Sequence, residues 1–127
     1  MQQGNNLRYY QIGSNFLDFI TNLLNIPFMT YKVTEEGNVS TVFLNGEIDM
    51  DKTEAAKELI LPLIEAKKEV HLNLKDVQYM DSSGISVLIE SHQKAEEVGT
   101  KVILKEISKS VLKVIMMAKL EQILNLD

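Results

Sequence analysis

A carboxylate, two hydroxyls and a glycine stand together at Asp81-Ser82-Ser83-Gly84, the stretch of the chain with the most potential chemistry. A hydroxyl beside a carboxylate suits three uses: nucleophile, helix cap, or acceptor of a covalent modification. A serine nucleophile needs a partner base, but the Gly-x-Ser-x-Gly elbow is absent and neither His71 nor His92 has an evident triad role. His71 falls on the polar side of an alternating run and is expected in solvent. His92 falls on an apolar helical stripe and is expected to be packed. Two lone histidines do not make a metal site, and no phosphate loop ending in Gly-Lys-Ser/Thr is present. The chain has no cysteine, which removes thiolate catalysis, Cys-type zinc and disulfides. The expectation is therefore no enzyme, no catalytic residue, no cofactor and no metal. Asp-Ser-Ser-Gly is also what a plain helix cap is made of. A helix N-terminus carries unpaired N–H groups and a partial positive charge, so a phosphate added there would be tolerated. Gly84, having no side chain, would let another protein approach closely.

The elements that must position this loop are legible in the periodicity. Tyr31 to Thr34 and Val39 to Leu44 are β-rich runs separated by the turn signal Glu35-Glu36-Gly37-Asn38, and read as a hairpin. Asn45 to Asp49 reads as a loop. Thr53 to Lys68 reads as a helix with apolar Ala56, Leu59, Ile60, Leu63 and Ile64, and with a bend near Glu58 to Leu61 because of Pro62. Val70, Leu72 and Leu74 alternate with His71, Asn73 and Lys75, which reads as a strand, and Asp76 to Asp81 as its exit segment. Ser82 or Ser83 opens a helix to about Val98, with Ile85, Leu88, Ile89, His92 and Ala95 in one stripe and Gly99 as the stop. Lys101 to Leu104 reads as a strand. Ser108 or Ser110 caps a last helix bearing Val111, Leu112, Ile115 and Met116. Leu120 to Leu126 suits either a further helical turn or a short strand.

With 127 residues, the chain fits a single domain, here residues 29–127, preceded by an extension of residues 1–28. The extension has Arg8 and Asp18 as its charged residues. It spaces Phe16, Phe19, Ile20, Leu23 and Leu24 as an amphipathic helix would, with Ser14 or Asn15 as cap and Pro27 as stop. Such a helix could pack on its own domain, cover the sheet face that helices leave bare, or mediate a homodimer. A net charge of −5 without a long basic run argues against direct nucleic-acid binding. No apolar run reaches the length of a membrane span, and the N-terminus lacks the layout of a signal peptide.

Met80-Asp81-Ser82-Ser83-Gly84 resembles the signature of STAS domains, specifically bacterial anti-sigma-factor antagonists. Leu44-Asn45-Gly46-Glu47-Ile48-Asp49 is similar to that family's Leu-x-Gly-Glu-hydrophobic-Asp loop. Val70 to Val77 is similar to the strand before its switch loop. The three occur in order, and the resemblance covers about residues 29–126. It implies an α/β fold of the STAS type, a right-handed β-α superhelix. The expected sheet is mixed and four-stranded, an N-terminal hairpin followed by parallel strands, with helices packed against it. It also implies a cytoplasmic antagonist whose unphosphorylated form binds an anti-sigma factor and frees the sigma factor. That anti-sigma factor is often a serine kinase that marks the first hydroxyl after the Asp, here Ser82, with Ser83 second. A serine phosphatase reverses the mark. Glu47, Asp49, Asp81, Ser82, Ser83, Gly84 and Ser86 are the expected partner-binding residues. The extension and the pair Ile85-Ser86, where Leu-Gly is common, depart from the pattern. The rival reading is a STAS scaffold that does not switch, or a transporter-associated STAS subunit.

Overall fold

A computed structural model describes residues 30–127, and residues 6–11 as backbone. Their strands are β1 (Asn6–Gln11), β2 (Thr30–Glu36), β3 (Val39–Ile48), β4 (Glu69–Met80), β5 (Val102–Lys105) and β6 (Asn125–Leu126). The helices are α1 (Met50–Glu65), α2 (Ser82–Val98) and α3 (Lys109–Met117), with a 3-10 turn at Leu120–Gln122. The strands form one sheet in sequence order, β1 to β6. β1, β2 and β3 pair antiparallel; β3, β4, β5 and β6 pair parallel. The α/β class, the hairpin and the parallel strands after it are as the sequence implied. The sheet is wider than the expected four strands, because β1 adds an edge and β6 closes the other. The helix expected within residues 14–26 lies outside the described residues.

Alternation sets the sheet's two faces. Val33, Val42, Leu72 and Leu104 lie side by side in register, and all are buried. Their neighbours Thr34, Thr41, His71 and Ile103 line the opposite face and are half-buried. Apolar residues of α1, α2 and α3, among them Ile60, Leu88 and Ile115, join the first face in one core. The sheet thus has one face in the core and one face of mixed polarity, where Lys32 sits 4.6 Å from the Phe43 ring centroid and His71 Nε2 lies 2.7 Å from Glu69 Oε2. His71 is half-buried and hydrogen-bonded to Glu69 rather than free in solvent. The bond from His71 holds the Glu69 carboxyl below its usual range.

Several boundaries differ from the sequence reading. β3 continues through Asn45 to Ile48, where a loop was expected. Irregularities between Phe43 and Asn45 and between Gly46 and Glu47 absorb the mismatch with β4, and Gly46 takes φ 75°. β4 likewise runs on to Met80 through the expected exit segment. Helix α1 stays continuous through Pro62, one turn before its end, where Ala66 N donates to the Pro62 carbonyl at 3.0 Å. On α3, Val111 and Ile115 are buried, but Leu112 and Met116 are exposed. Ser108 occupies the N-cap position without capping; its hydroxyl instead donates to the Val77 carbonyl at 2.8 Å.

Candidate functional site

The lengthened strands bring two segments to one sheet edge. Ile48 at the end of β3 pairs with Met80 at the end of β4, and Glu47 with Tyr79. Each strand then hands over to a helix through an aspartate. Asp49 caps α1, accepting from Asp51 N at 3.1 Å. Asp81 caps α2, accepting from Ser83 N at 2.9 Å and from Gly84 N at 3.1 Å. The pattern hydrophobic-Asp-x therefore occurs twice, as Ile48-Asp49-Met50 and Met80-Asp81-Ser82, with the two helix N-termini side by side. Short carboxylates suit this position because they satisfy N–H groups that have no partner within the helix.

The cap of α2 is thus Asp81, and neither serine performs that role. With its carboxylate on the amides of Ser83 and Gly84, those donors are occupied and do not form an open cradle for a phosphate. Ser82 is the first residue of the helix and is exposed; Ser83 is half-buried. Ser86, one turn on, is exposed and its hydroxyl donates to the Ser82 carbonyl at 3.0 Å. Glu47 is exposed and Asp49 is half-buried.

Gly84 has a different reason from the one its type suggested. It is buried, and a Cβ there would fall 2.6 Å from the Ile48 carbonyl oxygen and 2.4 Å from Met80 Cγ. The missing side chain lets α2 settle against the end of β3, so close approach occurs within the chain. This contact locks the Glu47–Asp49 segment beside Asp81–Gly84.

His92 is buried on α2, as its stripe implied, with Nε2 at 3.4 Å from Glu96 Oε2. Beneath the site, Tyr31 is fully buried and its hydroxyl finds no hydrogen-bond partner among the described residues. Burial, and secondarily the Asp49 charge, push its pKa up to about 12. A groove of about 460 Å³ runs between α1 and α2, lined by Glu54, Lys57, Glu58, Leu61, Pro62, Glu65 and Glu90. Its lining includes the ion pairs of Lys57 with Glu54 and Glu90, and it does not include Ser82. Sequence reasoning missed two exposed residues at the sheet edge that carries Ser82, Met50 and Tyr79. The repeated hydrophobic-Asp-x pattern is the signal that would have placed Met50.

A family model described as STAS domain matches residues 30–127. An anti-sigma-B factor antagonist of Bacillus subtilis (strain 168) is 28% identical over 95 residues, 75% of this chain and 87% of its own length. Among solved structures, an anti-sigma factor antagonist from Mycobacterium paratuberculosis shares the fold with a TM-score of 0.69 at 22% identity, over 76% of this chain and 83% of its own. The Bacillus cell fate determinant SpoIIAA in its phosphorylated form gives a TM-score of 0.60 at 22% identity, over 76% and 90%.

Proposed function

Because the chain belongs to the STAS domain family, we propose that it is an anti-sigma-factor antagonist whose docking surface is switched off by a phosphate on Ser82. The exposure of Ser82 at the first position of α2, with Ser83 half-buried beside it, carries this reading. A kinase can reach the first hydroxyl on the folded protein. The partner in this reading is an anti-sigma factor that is itself a serine kinase. A serine phosphatase restores the docking form, and the cycle runs in the cytoplasm. Glu47, Asp49, Asp81, Ser82, Ser83, Gly84 and Ser86 form or support the contact, Gly84 by holding the two segments together.

The physics of the switch follows from the occupied cap. A phosphate adds about −1.5 to −2 charges at neutral pH. With Asp81 already on the Ser83 and Gly84 amides, the new anion stays at the surface, beside Asp81 and close to the Glu47–Asp49 segment. It gains nothing from those two donors and adds bulk and a desolvation cost to any interface fitted to a hydroxyl. A loss of about 3 kcal/mol weakens binding about a hundredfold. The fold stays as it is, because Ser82 is not part of the core. That the neighbour SpoIIAA has been solved in a phosphorylated form is in keeping with this chemistry.

The test compares wild type with Ser82→Ala in a complex with the kinase partner. On adding ATP and magnesium, wild type is expected to gain one phosphate, mapped to Ser82, and to dissociate. The Ser82→Ala chain is expected to stay bound and unmodified. Release of Ser82→Ala at the wild-type rate would overturn the proposal.

A further inference from the structure

Six large apolar side chains stand exposed among the described residues, and they fall into two groups. Leu112, Met116, Met117 and Ile123 belong to α3 and the C-terminal segment. The other two, Met50 at 74% exposure and Tyr79 at 52%, sit at the sheet edge that carries Ser82. Met50 is the first residue of α1, as Ser82 is of α2, and the caps before them follow the paired residues Ile48 and Met80. Tyr79 pairs with exposed Glu47 three residues before Ser82. The switch hydroxyl thus shares its sheet edge with an exposed thioether and an exposed phenol ring, among the carboxylates of Glu47, Asp49 and Asp81.

This arrangement bears on the sign of the switch. A phosphate facing a cluster of Lys or Arg would create charge-assisted hydrogen bonds and tighten binding. It loosens binding where the contact around it is apolar, so that the dianion loses its solvation, or acidic, so that like charges repel. We propose that Met50 and Tyr79 are apolar anchors of the contact at this edge, so that a phosphate on Ser82 meets a desolvated surface as well as the neighbouring carboxylates. The occupant is the anti-sigma factor of the proposed function. It would present an apolar recess over Met50, Tyr79 and Ser82, with basic residues confined to a rim facing Glu47 and Asp51. Central apolar anchors inside a polar rim are the usual distribution of binding energy in such contacts. The inference rests on the proposed function and adds the two residues that set affinity and discrimination.

The experiment measures dissociation constants of the purified kinase partner for chains with serine or with genetically encoded phosphoserine at position 82. It does so in wild type, Met50→Ala and Tyr79→Ala. Wild type is expected to discriminate about a hundredfold. Each variant is expected to weaken the serine form about tenfold, more than about 1 kcal/mol. The phosphoserine form should change less than about threefold, about 0.7 kcal/mol, so discrimination shrinks. A merely structural role would weaken both forms equally and overturns the inference, as would unchanged affinities in both variants. A wild type that binds both forms equally sinks the proposed function itself, and this arm is read before the variants.

Discussion

At the scale of single residues, Asp81 combines two roles that substitution can separate. As a cap it accepts from Ser83 and Gly84; as a charge it stands beside Ser82, the hydroxyl proposed to carry the phosphate. Asn caps as well as Asp does, whereas Ala does not. Asp81→Ala is expected to cost about 1 kcal/mol in urea unfolding, and Asp81→Asn less than about 0.5 kcal/mol. Equal losses would contradict the capping role. Gly84 makes a sharper demand, because the Ile48 carbonyl is backbone and cannot swing aside. Gly84→Ala is expected to cost about 1 to 3 kcal/mol, the usual range for overpacking; an unchanged melt would show that the two segments are not locked there. The sequence made both residues conspicuous but not their duties. Capping depends on which side chain reaches the amides, and Gly84's role depends on Ile48, which is distant in the chain.

At the scale of elements, the register of β3 on β4 delivers the two aspartate caps to one edge. Val70, Leu72 and Leu74 announced β4 by alternation, and all three are buried as that pattern requires. Asn45-Gly46 concealed the end of β3, because both residue types are scarce in strands, and only pairing with Asp76 and Val77 makes that segment a strand. The same stretch of sheet buries Tyr31, and this sets an alkaline limit. The unfolded phenol ionises near 10 and the folded one at about 12. Above pH 10 the unfolded chain releases a proton that the fold retains. Stability is therefore complete below pH 10 and falls as pH rises towards 12, by about 1 kcal/mol at pH 11. Tyr31→Phe is expected to abolish that part of the fall, seen by comparing urea midpoints at about pH 9 and about pH 11. An identical fall in the variant would contradict the burial of an unpartnered hydroxyl. Ser91 on α2 is a second such hydroxyl, fully buried and without a partner among the described residues. Ser91→Ala is expected to be neutral or to stabilise by about 1 kcal/mol in the same assay.

At the scale of the whole molecule, the hairpin and the succession of parallel strands followed from the order of periodic segments, while the sheet's two edges did not. β6 spans only two residues, too few for any periodicity to show. β1, Asn-Leu-Arg-Tyr-Tyr-Gln, is rich in β-forming tyrosine, but a six-residue run becomes a strand only through a neighbour, here β2. We propose that the domain begins at residue 29. A chain of residues 29–127 is expected to unfold in one cooperative transition and to bind the partner as the full chain does. A broad, non-cooperative melt would assign residues 1–28 to the domain's own core. Because Ser82 stands clear of the core, the proposed switch asks nothing of the fold, and its effect is expected in binding alone. The decisive measurement titrates the kinase partner against the full chain carrying serine or phosphoserine at 82, with circular dichroism recorded on both. The expected result is one unchanged spectrum and affinities about a hundredfold apart, the serine form being tighter. Equal affinities, or a phosphoserine form that binds more tightly, would refute the reading of Ser82 as an off switch.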